Sequence, residues 1–307
     1  MKVLVTGGSG FIGTHIIEEL QSRGHVVKVF DRRVPKAKGV EWLDGDLRWL
    51  GDCDRAVIGC DAIMHLAARI SVDESLEYLW HYFNDNLMST VNLFMAAAKR
   101  GVNQVLFTSS CEVYGETPEK GATEEAPCNP TSPYAASKYA AERAALTFKR
   151  VHPELKLAVL RPFNTFGEWQ KPYRAGAVIP TFILEGMKGR PLKVHGDGTQ
   201  TRDFVYVKDI AKAQVDVLEK QCEGIYNIAS GKSRTINSVA DAVIKTIGKG
   251  KVEHVPDARK GAQLNFSVGD SAKIRRDAGW TPAHDFESAL RKVAEWYASS
   301  DAPVLDA

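Results

Sequence analysis

Three glycines constrain the fold of this chain more than any other feature. Gly7, Gly10 and Gly13 follow the apolar run of residues 2–6 and open an amphipathic stretch that predicts a helix over residues 12–23. In this spacing the first glycine permits a tight turn, the second lets the backbone approach a ligand, and the third lets the helix pack closely on the strand. Free backbone N–H groups at the start of such a helix bind phosphate. The pattern therefore predicts a strand, a tight turn and a helix that together hold a pyrophosphate.

One acidic residue extends the glycine pattern to a dinucleotide site. Asp31 ends the next apolar run, 18 residues after Gly13, close to the ~20 residues at which a carboxylate accepts hydrogen bonds from a ribose. A carboxylate there repels a 2′-phosphate and so favours NAD over NADP. Arg32 and Arg33 follow directly and partly offset that repulsion. We therefore predict NAD as the cofactor.

The first half of the chain alternates short apolar runs with longer amphipathic stretches. The predicted strands are residues 2–6, 25–30, 62–66, 104–108 and 156–160, and the predicted helices are residues 12–23, 74–100 and 133–152. Strands buried on both faces read as continuous apolar runs, and their alternation with helices implies right-handed crossovers in a parallel sheet. The sequence thus predicts an α/β fold with a doubly wound parallel sheet, a Rossmann fold.

The rhythm changes after about residue 165, where glycine and proline become more frequent. Helical stretches return at residues 207–220, 236–247 and 286–297. No linker-like or low-complexity stretch separates the two halves. We predict an NAD-binding domain over residues 1–165 and a smaller C-terminal substrate-binding lobe over residues 166–307, which is interleaved with the last elements of the sheet.

Composition narrows the partners of a chain of this fold class. Among its 307 residues, 40 Lys and Arg stand against 38 Asp and Glu, a formal net charge of +2. That balance predicts neither a nucleic acid nor an anionic membrane as partner, and no apolar run reaches the ~18–20 residues of a membrane span. The five cysteines include no CxxC pair, which predicts neither a disulfide framework nor a metal site. Reduced thiols favour a cytoplasmic protein.

Tyr134 and Lys138 form a candidate acid/base pair. They lie four residues apart in a predicted helix, and this spacing places both side chains on one face. A phenol with a pKa of ~10 is a poor base at neutral pH, and a neighbouring ammonium lowers that pKa by stabilising the phenolate. Such a pair can remove a proton from an alcohol while a hydride leaves its carbon. The same spacing also occurs in ordinary surface pairs, and the glycine pattern favours the catalytic interpretation.

The segment after the strand at 104–108 adds further polar candidates at the edge of the sheet where ligands bind. Ser110 is predicted to hydrogen-bond the reacting oxygen, whereas Ser109 also fits a simple strand-end turn. An unpaired carboxylate is costly in an apolar site, so Glu112 has either a polar role in the site or an ion pair at the surface. Cys111 is either a proton donor or a small apolar side chain.

Together these motifs resemble the extended short-chain dehydrogenase/reductase family, in its nucleotide-sugar epimerase and dehydratase branch. Further motifs keep the family's order over nearly the whole chain: Gly45-Asp46-Leu47, His65-Leu66-Ala67-Ala68, Asn86, Arg161-Pro162-Phe163-Asn164 and Arg202-Asp203-Phe204. The resemblance implies that Tyr134 takes the proton of a sugar's C4 hydroxyl while NAD accepts the C4 hydride. It also implies a nucleotide-diphosphate sugar as substrate, and a homodimer formed through the helices at 74–100 and 133–152.

The resemblance also implies the binding residues. For the cofactor they are Gly7, Gly10, Phe11, Ile12, Gly13, Asp31, Arg32, Asp46, Leu47, Leu66, Ala67, Ala68, Asn86, Ser109, Tyr134, Lys138 and Pro162. For the substrate they are Ser110, Asn164, Val178, Arg202 and Arg259. Asn164 and Arg202 are expected to hold the diphosphate, Arg202 through charge-assisted contacts. Arg259 keeps a phosphate role, although the acidic ribose ligand that relatives carry after it is absent.

The reaction that follows C4 oxidation stays open between two main alternatives. Dehydratases and glucuronate decarboxylases resemble this chain in carrying a glutamate two residues after the catalytic Ser or Thr. Glu112 takes that position, which predicts a C5 base and a 4,6- or 5,6-dehydratase acting on a UDP-hexose or UDP-hexosamine. Cys111 departs from the dehydratase pattern, in which an aspartate protonates the leaving hydroxyl, and this favours a UDP-sugar 4-epimerase such as one acting on UDP-glucose or UDP-galactose. A UDP-glucuronate decarboxylase and a non-catalytic dinucleotide-binding protein are lesser alternatives.

Overall fold

Strands and helices alternate through the chain in a computed structural model that describes residues 1–173, 177–256 and 264–299. The strands are β1 (Lys2–Thr6), β2 (Val26–Phe30), β3 (Glu41–Leu43), β4 (Ala62–His65), β5 (Gln104–Thr108), β6 (Lys156–Pro162), β7 (Asn164–Phe166), β8 (Leu192–His195), β9 (Thr201–Tyr206), β10 (Gly224–Ile228), β11 (Ser233–Thr235), β12 (Val252–Val255) and β13 (Phe266–Ser267). The α-helices are α1 (Phe11–Ser22), α2 (Leu50–Val57), α3 (Val72–Glu77), α4 (Leu79–Tyr82), α5 (Ser89–Arg100), α6 (Pro133–Val151), α7 (Val178–Met187), α8 (Val207–Glu219), α9 (Ile236–Ile247), α10 (Ala272–Ala278) and α11 (Phe286–Ala298).

The largest sheet is parallel throughout and has helices on both faces. Within the described ranges it contains seven strands in the order β10-β6-β5-β4-β1-β2-β3. Alternate side chains of β1 point to opposite faces: Val3 and Val5 pack in the core that includes α1 and α8, whereas Leu4 packs in the core that includes α2, α5 and α6. Each fully buried side chain of this kind contributes roughly 1.5–3 kcal/mol. The predicted doubly wound α/β fold is confirmed.

A smaller layer follows the long strand β6. In it β9 pairs with β11 in the antiparallel sense and with β7 and β13 in the parallel sense, while β8 pairs with β12. Helices α7, α9 and α11 bury a third apolar core against β9. The strand β10 from this half returns to the edge of the large sheet beside β6. The division of the chain at residue 165 stays a prediction.

The prediction of one long helix over residues 74–100 is wrong. The structure breaks this stretch into α3, α4, a π-helical segment (Phe83–Met88) and α5. Helix α3 ends at Glu77, because the backbone of the next residue, Tyr78 (φ −118°, ψ 45°), leaves the helical region. An amphipathic pattern alone does not reveal such an interruption. The pattern also missed α2 and α7. No helix of the described ranges combines the length and the apolar character needed to cross a membrane.

Candidate active site

The glycine loop between β1 and α1 has the backbone geometry of a phosphate cradle. Gly7 has φ +71°, and a Cβ atom on it would lie 2.7 Å from the backbone nitrogen of Ala67. A Cβ atom on Gly13 would lie 2.4 Å from the carbonyl oxygen of Gly7, so side chains are excluded at both positions. Gly10 caps α1 without a side chain, which leaves the first N–H groups of the helix for a ligand. These residues fit the pyrophosphate of a dinucleotide.

Asp31 joins the end of β2 to the glycine loop. Its carboxylate accepts hydrogen bonds from the backbone N–H of Ser9 at 3.1 Å and from that of Arg33 at 3.0 Å. A carboxylate has about four acceptor sites, so it can also accept from ribose hydroxyls. The Arg32 side chain is largely exposed, and its guanidinium lies 3.8 Å from the carboxylate of Asp46. The structure thus places Asp31 beside the loop, as a ribose ligand requires.

The segment after β4 comes into contact with the glycine loop. The backbone N–H of Leu66 donates to the Thr6 carbonyl at 3.2 Å, and that of Ala67 donates to the Thr6 hydroxyl at 3.3 Å. Leu66, Ala67 and Ala68 are partly exposed beside Gly7. The predicted channel residues and the predicted pyrophosphate loop therefore lie side by side.

Asp46 and Leu47 follow β3 along the same edge of the large sheet. Leu47 is buried, and its carbonyl accepts a hydrogen bond from the Asn92 side chain at 3.0 Å. Burial raises the pKa of Asp46, but the hydrogen bonds from Arg48 lower it by more than burial raises it. The net pKa therefore lies below its usual value. Asp46 is therefore an ionised carboxylate that is fixed in position by Arg48. That this pair flanks an adenine stays a prediction.

Asn86 lies in the π-helical segment and is buried. Its side-chain oxygen accepts from the Arg69 backbone N–H at 2.8 Å, and its side-chain nitrogen donates to the Arg69 carbonyl at 3.1 Å and to the Ser137 hydroxyl at 2.9 Å. Both ends of the amide are thus engaged by the protein. Asn86 therefore links the loop after β4 to α6. Its predicted role toward the dinucleotide is to hold this loop in position.

Tyr134 meets Ser110 where α6 begins. The Ser132 hydroxyl caps the helix by accepting from the Ala135 N–H at 3.1 Å, and the Ser110 side chain lies near enough to the Tyr134 hydroxyl to lower its pKa. Both side chains are buried. Burial raises the pKa of Tyr134, Ser110 lowers it and the charge of Glu112 raises it, so the net pKa lies above its usual value. The expected lowering of that pKa by Lys138 does not outweigh burial in this structure.

Lys138 lies one helical turn after Tyr134 and is buried. Its Nζ atom lies 4.4 Å from the centre of the Phe107 ring. Burial lowers the pKa of Lys138 to about 7, although the charge of Glu142 opposes that change. Burial, and then the charge of Lys138, lower the pKa of His65 to about 3. His65 is therefore neutral and hydrogen-bonds the hydroxyls of Thr6 and Thr90.

Cys111 and Glu112 share a short 3₁₀ helix (Cys111–Tyr114) directly after Ser110. Cys111 is buried in the core, where the Ser267 hydroxyl donates to its Sγ atom at 3.8 Å. Burial, and then the charge of Glu112, raise the pKa of the thiol far above its usual value. Glu112 is half-buried, and its backbone N–H donates to the Ser110 hydroxyl at 3.2 Å. The Glu112 carboxylate thus lies close enough for its charge to raise the pKa of both Cys111 and Tyr134.

The candidate substrate-binding residues lie on the neighbouring strands β7 and β9. The Asn164 side chain donates to the Asp203 carbonyl at 3.2 Å. The Arg202 guanidinium donates to the carbonyls of Thr201 and Leu264, and its charge lowers the pKa of Cys111. Arg202 therefore lies beside the Ser110–Glu112 turn. Val178 begins α7, Pro162 ends β6, and Arg259 lies outside the described residues.

The buried polar contacts that lie behind the site, on its core side, were not predicted from the sequence. The Ser109 hydroxyl donates to Glu142 at 2.9 Å, and Glu142 forms an ion pair with Arg161. Asp203 is buried and accepts from the backbone N–H groups of Ser230 and Gly231, each at 2.9 Å. The available signals were charged residues in apolar surroundings: Glu142 two turns after Tyr134, and Arg161 inside a buried strand.

Comparison with known proteins links the chain to enzymes that act on nucleotide sugars. Residues 3–229 match the model of the NAD dependent epimerase/dehydratase family. A dTDP-glucose 4,6-dehydratase of Streptomyces niveus is 33% identical, over 97% of this chain and 93% of that protein. The UDP-glucose 4-epimerase of Thermus thermophilus in complex with NAD superposes with a TM-score of 0.91 at 36% identity, over 98% of this chain and 100% of that one. The dTDP-glucose 4,6-dehydratase DesIV of Streptomyces venezuelae, with NAD and TYD bound, has a TM-score of 0.90 at 31% identity and covers 98% of each chain.

Proposed function

The chain belongs to the NAD dependent epimerase/dehydratase family, and we propose that it oxidises a nucleotide-diphosphate sugar at C4 and then eliminates water. The observation that carries this proposal is the burial of Tyr134 beside Ser110, with Glu112 on the turn that directly follows Ser110. Similarity to enzymes named for UDP-glucose and dTDP-glucose supports a sugar carrying a uridine or thymidine diphosphate. The glycine loop and Asp31 would hold NAD, which supplies a hydride acceptor when bound.

Tyr134 is the base of the first step. Its phenolate oxygen takes the proton of the C4 hydroxyl as the C4 hydride leaves, and the Ser110 hydroxyl holds the same sugar oxygen through a hydrogen bond. Burial raises the pKa of the phenol, so only the deprotonated fraction of Tyr134 can take this proton. Lys138 supplies positive charge one turn away, and because its pKa is about 7 it can be charged at neutral pH. This charge stabilises the phenolate when it forms.

Glu112 is the base of the second step. A ketone at C4 acidifies the neighbouring C5 proton, which the Glu112 carboxylate removes while the C6 hydroxyl leaves. One molecule of water is lost, and a C5=C6 double bond forms. Return of the hydride to C6, with a proton to C5, gives a 4-keto-6-deoxy sugar, and its return to C4, with a proton to the C4 oxygen, gives a 5,6-alkene. The 4,6- and 5,6-dehydratase reactions thus share every step up to this hydride return.

A UDP-sugar 4-epimerase is the second candidate, and Cys111 favours it. Dehydratases of the resembled branch carry an aspartate at this position as the acid for the leaving hydroxyl, whereas this chain has a buried thiol held by Ser267. In an epimerase the 4-keto sugar rotates in the site and accepts the hydride on its other face, so no second base is needed. Glu112 is then a residue of the pocket wall.

Mass spectrometry of the products separates the two candidates. The protein is incubated with NAD and a panel of UDP- and dTDP-hexoses and UDP-hexosamines in deuterated water. Loss of one water supports the dehydratase: deuterium at C5 then indicates the 4,6-dehydratase, and a product without deuterium on carbon indicates the 5,6-dehydratase. Conversion to a C4 epimer at unchanged mass establishes the epimerase and rejects elimination. Turnover of none of these sugars contradicts both candidates.

We also propose a homodimer formed through α5 and α6. Met95 on α5 and Met88 just before it are 48% and 47% exposed, and Trp80 is 66% exposed. Large apolar side chains concentrated on one face mark an interaction surface, and a second copy of the same face is the simplest partner for it. Light scattering at micromolar concentration tests this: a dimer mass supports the proposal, and a monomer mass rejects it. Met95→Glu should convert the dimer to a monomer.

A further inference from the structure

A buried ion pair lies beneath the Tyr134–Lys138 pair. Glu142 and Arg161 are both buried, at 0% and 2% exposure. Arg161 Nε donates to Glu142 Oε2 at 3.0 Å, and its Nη2 atom donates to Oε1 of the same carboxylate. The Ser109 hydroxyl donates to Oε2 at 2.9 Å. The Glu142 carboxylate belongs to α6, and it thus receives hydrogen bonds from β6 and from the residue directly after β5.

The arginine of this pair is anchored on its other side. Arg161 Nη1 donates to the Tyr114 hydroxyl at 2.7 Å and to the Glu124 carbonyl at 3.3 Å. The Tyr114 hydroxyl in turn donates to Asn227 Oδ1 at 2.7 Å. Because these hydrogen bonds reach β10 at the edge of the sheet, the position of the Glu142 carboxylate is set by three neighbouring strands and α6.

A buried ion pair contributes little net free energy to the stability of a core, because its charges lose their hydration. Removing two charges from water costs several kcal/mol for each, and apolar pairs of the same volume are often as stable. The pair is therefore better explained by a role in the site above it. Glu142 is four residues after Lys138 and eight after Tyr134 on α6, so the three side chains lie along one face of the helix.

The surroundings of Lys138 make Glu142 its counter-charge. The neutral His65 approaches from β4, the Phe107 ring approaches from β5, and Tyr134 lies on the same helix. Burial lowers the pKa of Lys138, and within the described part of the chain Glu142 is the anion that raises it. Around Glu142 itself, burial raises the pKa of Cys128. That thiol is therefore neutral, and Arg161 is the cation bonded to the carboxylate.

We propose that Glu142 is a positioning residue of the acid/base pair: held by Arg161 and Ser109, it is the fixed anion that keeps Lys138 an ammonium beside Tyr134. The catalytic importance of that ammonium rests on the proposed function. The charge state of Lys138 does not depend on the proposed function, because it can be measured on the protein without a sugar.

The test is an NMR titration of the protein labelled with ¹³Cε-lysine, with the Lys138 signal assigned by its loss in Lys138→Met. The wild-type midpoint is expected at about 7. Glu142→Gln removes the anion, which destabilises the protonated amine, so the midpoint should fall by ~1 pH unit. Glu142→Asp keeps the charge one methylene further back and should restore most of the midpoint. Glu124→Gln, which changes a nearby carboxylate that does not act on Lys138, should leave it unchanged.

Glu142→Gln leaves Arg161 buried without its partner, which can prevent folding. The double variant Glu142→Leu with Arg161→Met removes both charges and keeps an apolar core, so it provides the same test in a folded chain. A fall of the midpoint in either folded variant supports the proposal. A midpoint within ~0.3 pH units of the wild type overturns it and leaves Glu142 as a structural partner of Arg161. Because no substrate is present, failure of the proposed reaction does not affect this outcome.

Discussion

The two ends of the candidate site are built in different ways. At the cofactor end the important atoms belong to the backbone: Gly7 and Gly13 are needed because a Cβ atom would collide with another stretch of main chain. At the chemical end the important atoms belong to the side chains of Ser110, Glu112 and Tyr134, whose proton affinities depend on burial and on neighbouring charges. The two ends should therefore respond to different changes: the glycine loop to any substitution that adds a Cβ atom, and the Ser110–Tyr134 region to substitutions of titratable groups. Four substitutions test this difference.

The largest effect is expected at the chemical end from Tyr134→Phe. Loss of the phenol removes the base for the C4 hydroxyl and should lower kcat by ~10³-fold. The ring keeps its packing, so binding of NAD, measured by quenching of protein fluorescence, should change less than about twofold. Wild-type turnover in this variant would show that the tyrosine-based mechanism is wrong.

Glu112→Gln acts on the second step alone. Without a carboxylate to take the C5 proton, incorporation of solvent deuterium at C5 should fall by ~10²-fold or more, while C4 oxidation and NAD binding persist. Mass spectrometry of sugar recovered from deuterated water measures the incorporation. The control is Glu119→Gln, an exposed glutamate on the following loop. Unchanged deuterium uptake in Glu112→Gln would exclude this residue as the C5 base.

Gly7→Ala tests the cofactor end. The new Cβ atom would approach the Ala67 nitrogen to 2.7 Å, and the backbone has φ +71°, so the loop must shift. A cost of ~1–3 kcal/mol should weaken NAD binding by ~10–100-fold, as measured by isothermal titration calorimetry. The matched control is Gly24→Ala, which has φ +78° but no atom within 4 Å of the new Cβ. It should lower the melting temperature yet leave NAD affinity unchanged, and equal loss of affinity in both variants would refute the cradle.

Cys111→Ala should have the smallest effect on turnover. Burial raises the pKa of this thiol far above neutral, and its contacts are those of a core residue, so kcat should stay within ~3-fold of the wild type while stability falls by ~1 kcal/mol. Steady-state kinetics and urea unfolding measure the two quantities. A hundredfold loss of kcat in a stable variant would instead assign an acid role to the thiol and strengthen the dehydratase.

Much of the fold could be predicted because its signals are local. The strands β1 and β5 and the helix α9 have the predicted bounds, and α6 differs from its prediction by one residue. The error over residues 74–100 has two parts: the backbone leaves the helical region at Tyr78, and the helix changes its hydrogen-bonding pattern around Asn86. There Asn86 is bonded to Arg69 and Ser137, and the backbone around it adopts a π-helical turn.

The candidate site divides in the same way. The spacing of Tyr134 and Lys138 predicted a shared helix face, but the pKa of Tyr134 could not be predicted, since burial and the charge of Glu112 together outweigh the lowering by Ser110. The environment of Cys111 depends on Ser267, 156 residues away. No local pattern of residues contains information about such a contact.

The sequence by itself determined the parallel sheet and the glycine loop, and it predicted NAD and the candidate pair Tyr134 and Lys138, because each is signalled by apolar periodicity or by residues at a characteristic spacing along the chain. Only the tertiary structure decided which side chains are buried, which charges face Lys138, and that the Cys111 thiol lies in the core. Burial and electrostatic interaction depend on distance in space, and distant segments such as β5, α6 and β6 meet only when the chain is folded.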